Sequence, residues 1–167
     1  MVVGESDAEG GFSYAHGRGY VQADLETVFA AGEEWRAFVD RRAVNAWDVT
    51  WDTEPEYEIS YTIYNEVEDL LDFEYDVGWR HGPIEATDDG TVTLYGVRWQ
   101  LTAVTGIQVF DLMRGSIQYR DEGEGVVSVE YVEELRSIQR SQDAERAKSF
   151  LQDRFADLHA LVDGKPL

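Results

Sequence analysis

The sequence predicts an α+β domain: a curved antiparallel sheet of about seven strands around one long C-terminal helix, with two short helices after the first strand. Three observations predict it. Between Trp47 and Ile138, apolar residues recur at every second position, the period of a strand with one covered face. From Asp143 to Val162 they return at a helical period instead. A first strand, Phe12 to Gln22, is set apart from the others by two short helical segments.

In that first strand Phe12, Tyr14, His16, Arg18 and Tyr20 alternate with Ser13, Ala15, Gly17, Gly19 and Val21, so one face is small. Asp24 reads as an N-cap, with Thr27 three residues on and Leu25, Val28 and Phe29 at helical spacing, and the helix breaks near Gly32. Glu33 to Val39 is a second short helical stretch that turns Trp35, Phe38 and Val39 to a core. Strands are then expected through Trp47–Asp52, Tyr57–Glu66, Leu70–His81, Thr91–Ala103, Ile107–Arg120 and Val126–Ile138. Pro55, Glu66–Asp69, Gly82-Pro83 with Asp88-Asp89-Gly90, Thr105-Gly106 and Asp121–Gly125 mark the turns, most of them short enough for hairpins, which makes the order a meander. The clearest alternation sets Leu71, Phe73, Tyr75, Val77 and Trp79 against Asp72, Glu74, Asp76 and Arg80.

The last helix carries Ala147, Phe150, Leu151, Phe155, Leu158, Leu161 and Val162 as one stripe. Ser141 or Asp143 is placed to cap its start, and Gly164 and Pro166 to stop it. No repeat, low-complexity segment or linker divides the chain. Residues 12–163 are therefore read as one domain, preceded by a flexible tail over residues 1–11.

A chain of 167 residues buries roughly 70% of its unfolded surface, and 43% hydrophobic residues with 13% aromatics supply a sizeable core. Thirty-four acidic against fourteen basic residues give a formal charge of −20, which repels nucleic-acid phosphates and anionic headgroups, so no nucleic acid is expected as a partner. No apolar run approaches the roughly 20 residues of a membrane span, and residues 1–11 are acidic instead of basic and apolar; no integral membrane association and a cytoplasmic location are expected. The absence of Cys excludes disulfides and thiol catalysis. His16, His81 and His159 lack metal-ligand spacing, so neither a metal nor another cofactor is expected. Lys148 and Lys165 are the only lysines, an acidic bias that suits a saline habitat.

The order of elements, strand, two short helices, meander and long helix, resembles that of the START/Bet v1-like superfamily (SRPBCC, polyketide cyclase/dehydrase-like), whose architecture is the helix-grip fold. The segment Tyr20-Val21-Gln22-Ala23-Asp24-Leu25-Glu26-Thr27-Val28-Phe29 resembles the end of that family's first strand and the start of its first helix. Ala43-Val44-Asn45-Ala46-Trp47-Asp48 is similar to its stretch with a Trp before the second strand, and Gly123 to Val129 to its Gly-bearing hairpin before the last strand. The resemblance spans about Phe12 to Val162 and implies a pocket between sheet and helix. The superfamily includes lipid and hormone carriers, aromatase/cyclases and chaperone-activating proteins, and it has no universal catalytic motif, so no family site residue is carried over.

By strand parity, Tyr57, Tyr61, Phe73, Tyr75, Tyr95, Trp99, Met113 and Tyr131, with Phe155 from the helix, are expected to line such a pocket. Inward phenols suit a ligand with hydrogen-bonding groups; the plainer reading is half-buried core. Parity also turns Asp111 and Glu133 inward, where burial would raise their pKa and fit them for proton transfer, unless a bulge returns either to solvent. His81, beside Gly82-Pro83 at an expected strand end, is the third candidate acid or base. Arg18 and Arg114 are weaker ligand contacts, and Arg98 is expected to face outward. The leading expectation is a carrier or sensor of a hydrophobic small molecule, lipid-like or polycyclic aromatic. The alternatives are an aromatase/cyclase-like enzyme using Asp111, Glu133 or His81, and a protein-interaction module, which would show an exposed apolar patch.

Overall fold

Eight strands form one antiparallel sheet in the computed structural model, which describes residues 1–6, 11–41, 43–68 and 72–167. The elements are β1 (Val2–Ser6), β2 (Phe12–Gln22), α1 (Leu25–Gly32), a 3-10 turn (Trp35–Phe38), β3 (Ala46–Asp52), β4 (Ile59–Val67), β5 (Phe73–Ala86), β6 (Val92–Gly106), β7 (Phe110–Gly123), β8 (Val126–Ser137) and α2 (Arg140–Val162). The sheet order is β1-β2-β8-β7-β6-β5-β4-β3, so β3 to β8 run as the expected meander and β2 closes onto β8. Helix α2 crosses the inner face over β2 and β8 and touches α1 and the 3-10 turn.

Local chemistry accounts for most boundaries. Asp24 caps α1 by accepting from the Thr27 N–H and hydroxyl, both at 2.8 Å. Gly164, in the left-handed region at φ +71°, stops α2. The start of α2 differs from expectation. Asp143 does not cap it but lies buried in its first turn, accepting from the Ser137 N–H at 2.8 Å and hydroxyl at 2.5 Å, which ties the helix to the end of β8. The stripe of α2 buries Ala147, Leu151, Arg154 and Leu158.

Four expectations are corrected. The tail expected over residues 1–11 carries β1, which pairs with β2 from Val2↔His16 to Ser6↔Phe12; Val2 and Val3 supply the β propensity that the surrounding Gly and acidic residues obscure. The second short helix is a single 3-10 turn, capped by the Glu34 carboxylate on the Arg36 N–H. Strand β5 does not end at His81 but continues through Gly82-Pro83 to Ala86. Pro83 is tolerated because β4 has ended opposite His81, leaving β5 paired on one side alone. Finally, Asp111 is the extra residue of a bulge between Phe110 and Leu112. Phe110 and Met113 are buried there, and Asp111 is exposed, 3.5 Å from Arg136. Leu70 and Leu71, expected to open β5, lie outside the described residues.

Candidate ligand-binding site

One transverse row of paired residues crosses the inner face: Trp51, Tyr61, Trp79, Trp99, Gly115, Glu133 and Ala15, on β3, β4, β5, β6, β7, β8 and β2 in turn. Its rings stack: Tyr61 on Trp79 at 6.4 Å between centroids, Trp79 on Trp99 at 5.0 Å, and Phe38 from the 3-10 turn over Trp79 at 4.2 Å. Gly115 makes the row continuous. A Cβ there would sit 2.1 Å from Trp99 Cζ2, so the absence of a side chain lets the indole lie across β7 toward Glu133. Gly19 does the same for the helix, since its missing Cβ would fall 2.0 Å from the Phe155 ring. Each fully buried aromatic of this kind contributes ~2–3 kcal/mol by burial.

The row carries more polarity than a packing core needs. Glu133 is 1% exposed; burial pushes its carboxyl up to about 8, against the lowering effect of the Arg154 charge and of the Trp99 indole. Arg154, 6% exposed, projects from α2 with its guanidinium carbon 5.1 Å from the Phe38 ring centroid, 5.0 Å from Trp79, 5.3 Å from Trp99 and 5.3 Å from Phe150. Its Nη2 donates to the Phe38 carbonyl at 3.4 Å, while Nε and Nη1 have no hydrogen-bond partner. Nε1 of Trp79, Nε1 of Trp99 and Oε2 of Glu133 are likewise buried without a well-formed hydrogen bond.

His81 belongs to the next row, with Ile59, Val97, Ile117, Tyr131 and Gly17. It is fully buried inside β5 instead of lying at a strand end. It hydrogen-bonds the Tyr61 hydroxyl at 3.0 Å, and burial pulls its pKa down to about 4. Three strand steps separate β5 from β8, roughly 14 Å at the usual strand spacing, so His81 and Glu133 do not form a pair, and Asp111 lies outside with Arg136.

Of the residues expected to line a pocket, Tyr61, Tyr75, Trp99, Met113 and Tyr131 are buried on the inner face, and burial raises the pKa of the four buried phenols, Tyr61, Tyr75, Tyr119 and Tyr131. Phe73, Tyr95 and Phe155 are partly buried against the core, Tyr95 stacked on Phe29 at 3.8 Å and Phe155 edge-on to Tyr131 at 5.8 Å. Tyr57 is brought elsewhere. It precedes β4 and lines a 480 Å³ groove on the outer face, with Arg80, Arg98 and Arg114. Arg98 faces outward as expected, Arg18 pairs with Glu122 at 2.9 Å and Arg114 with Glu134 at 2.5 Å.

The interior void bounded by Tyr75, Trp79, Trp99, Met113, Phe38 and Arg154 measures only about 10 Å³, room for one water. Beside it, between the 3-10 turn and α2, a surface depression of about 210 Å³ is lined by Ala37–Arg41, Phe150, Asp153, Arg154, Ala156 and Asp157. Void and depression share Phe38, Asp40, Phe150 and Arg154 as their common wall. A second depression of about 210 Å³ lies between β2 and α2, lined by Met1, Gly17, Arg18, Tyr131, Leu151, Gln152 and Phe155. At the open edge of the sheet, Trp47 and Trp51 of β3 remain 41% and 60% exposed.

Arg154 is the residue that the sequence reading missed. Its signal was its place at position i+7 of the buried series Ala147, Leu151, Arg154 and Leu158, where a charged side chain reads as solvent-facing by type and core-facing by period.

No protein-family model matches the chain, and no curated sequence matches it. Solved structures do. A START superfamily protein from Mycobacterium smegmatis aligns with a TM-score of 0.62 at 10% identity, over 90% of this chain and 97% of that one. Human STARD10 aligns at 0.59 and 9% identity, over 95% of this chain and 73% of that one. The Zhui aromatase/cyclase from Streptomyces sp. R1128 aligns at 0.52 and 10% identity, over 92% and 93%. The architecture is therefore the START/Bet v1-like helix-grip fold, and at these identities the likeness establishes the fold alone. Among the described residues no helix is long and apolar enough to cross a membrane, and no group of three or more His, Asp or Glu is arranged to hold a metal ion.

Proposed function

We propose that this chain binds a hydrophobic small molecule, lipid-like or polycyclic aromatic, between the sheet and α2, as a carrier or sensor. The observation that carries this reading is the stacked aromatic floor of Tyr61, Trp79 and Trp99, separated from a surface depression by a wall of Phe38, Asp40, Phe150 and Arg154. The closed interior holds no drug-sized ligand, which needs ~300 Å³ or more, so loading requires Phe38, Phe150 and Arg154 of that wall to swing outward into the depression. Phe38 sits in a one-turn element and Phe150 is only partly buried, which makes this wall easier to move than the floor.

A second reading, an aromatase/cyclase-like enzyme, is favoured by Glu133 alone: a carboxyl held near neutrality at the end of the aromatic row is poised to carry a proton. It lacks the second converging acid or base that such chemistry needs, and it stands behind the carrier reading.

Native mass spectrometry of the purified chain, followed by denaturing extraction, tests the proposal. A stoichiometric apolar adduct is expected. An apo mass together with no thermal shift against a panel of lipids and polycyclic aromatics would sink it.

A further inference from the structure

The geometry points to Arg154 as a receptor for the acidic head of the ligand, so that the molecule taken into the grip is an apolar or aromatic body bearing one carboxylate. This rests on the carrier reading and specifies its ligand class.

Among the described residues eight arginines, Arg18, Arg36, Arg41, Arg80, Arg114, Arg120, Arg136 and Arg146, lie within ion-pairing distance of a carboxylate. With 34 acidic residues in the sequence, such partners are abundant. Among the described residues Arg154 is the buried arginine, and its one hydrogen bond there is the long contact to the Phe38 carbonyl. A guanidinium carries five N–H donors in a planar fork that matches a carboxylate bidentately, and here Nε and Nη1, one edge of that fork, are unpartnered. Isolating a buried cation in this way is costly, and a partner that restores its hydrogen bonds would be bound correspondingly well.

The surroundings select for the same chemistry. Nε1 of Trp79 adds an indole N–H donor without a partner to the same chamber, and it too calls for an acceptor. Glu133 does not supply one charge-for-charge, since burial keeps it largely protonated at neutral pH. The rings of Phe38, Trp79, Trp99 and Phe150, each about 5 Å from the guanidinium carbon, exclude water around an ion pair and offer flat faces to the apolar part of the ligand. Arg154 lines both the void and the outer depression, whose other charged residues are Asp40, Arg41, Asp153 and Asp157, so an acid entering there reaches the guanidinium past three carboxylates.

The test compares matched acids and methyl esters: pyrenebutyric acid with its ester, and palmitic acid with its ester below micelle formation, followed by tryptophan fluorescence and calorimetry at pH 7.5. The acid of each pair is expected to bind about tenfold or more tightly than its ester. Arg154→Met and Arg154→Gln are expected to bring the two within about twofold, with Arg154→Lys intermediate because it keeps the charge and loses the fork. Equal binding of acid and ester by the unaltered chain overturns the proposal and leaves the carrier reading standing. Loss of both affinities in parallel in the variants assigns Arg154 a packing role and overturns it too. Binding of neither member of either pair removes the carrier reading and this inference with it. The comparison on the unaltered chain decides the matter even if a variant fails to fold.

Discussion

Trp99 lies across Gly115 so closely that a Cβ on residue 115 would stand 2.1 Å from the indole Cζ2 and 2.2 Å from the Val132 carbonyl oxygen. The backbone of β7 is thus part of the aromatic floor, and the smallest substitution there is a steric probe of the site. Gly115→Ala should lower the melting temperature by several degrees, an overpacking cost of ~1–3 kcal/mol, and should alter the near-UV circular dichroism of the tryptophans. An unchanged melt and spectrum would mean that the indole rests elsewhere.

Arg154→Met is expected to stabilise the unliganded chain. Replacing a buried, unneutralised cation by an apolar side chain of similar length is commonly neutral or worth ~1–4 kcal/mol, although contacts to four rings are partly given up. Thermal melts decide it: a fall of several degrees would show that stacking outweighs desolvation at this position.

The two buried titratable groups act on stability in opposite directions. Glu133 has its native pKa raised from 4.5 to about 8, so the native state binds more protons than the unfolded state between these values. Its contribution is complete below pH 4.5 and disappears as pH rises through about 8. His81 has its native pKa lowered from 6.5 to about 4, so its contribution is complete above pH 6.5 and disappears as pH falls through about 4. Urea denaturation from pH 4 to 9 should therefore show Glu133→Gln gaining on the unaltered chain by about 1 kcal/mol per pH unit between roughly pH 5 and 8. His81→Leu should flatten the acid limb between roughly pH 4 and 6.5. A constant offset between Glu133→Gln and the parent across pH 5–8 would place that carboxylate in water.

Asp143→Ala should cost ~2–3 kcal/mol, because it leaves the buried Ser137 N–H and hydroxyl without their acceptor and frees the first turn of α2 from β8. Hydrogen exchange should speed first in residues 140–147. Asp111→Ala offers the contrast. Its half-exposed ion pair with Arg136 is worth ~1 kcal/mol or less, and the melting temperature should move by no more than a few degrees.

The part of the fold that could be read from the chain is the part governed by period. The alternation from Phe73 to Trp79 and the stripe from Ala147 to Leu158 matched β5 and α2, and two-residue counting turned Glu133 inward correctly. The same counting failed for Asp111, because one extra residue at the Phe110/Leu112 bulge reverses every position before it. The placement of His81 at a strand end failed for another reason, although the counting put it on the inner face. Gly82-Pro83 is turn chemistry by composition, and only the absence of β4 opposite Pro83 allows the strand to pass through it. Arg154 was hidden by its type, since one charged side chain on an apolar stripe looks like an edge residue until the rings above and below it are in place.

The pairing of β2 with β8 joins Gln22 to Val126 and Ser13 to Leu135, residues more than a hundred positions apart, whereas β3 to β8 zip up as successive neighbours. Loop-closure entropy makes such a contact the slow one, so the meander is expected to assemble first and wait, with the flank of β8 open, for β2 to dock. An unsatisfied strand flank invites association with other chains during that interval. The acidic surface then has a kinetic use: at a formal charge of −20, half-folded copies repel one another until the last seam closes.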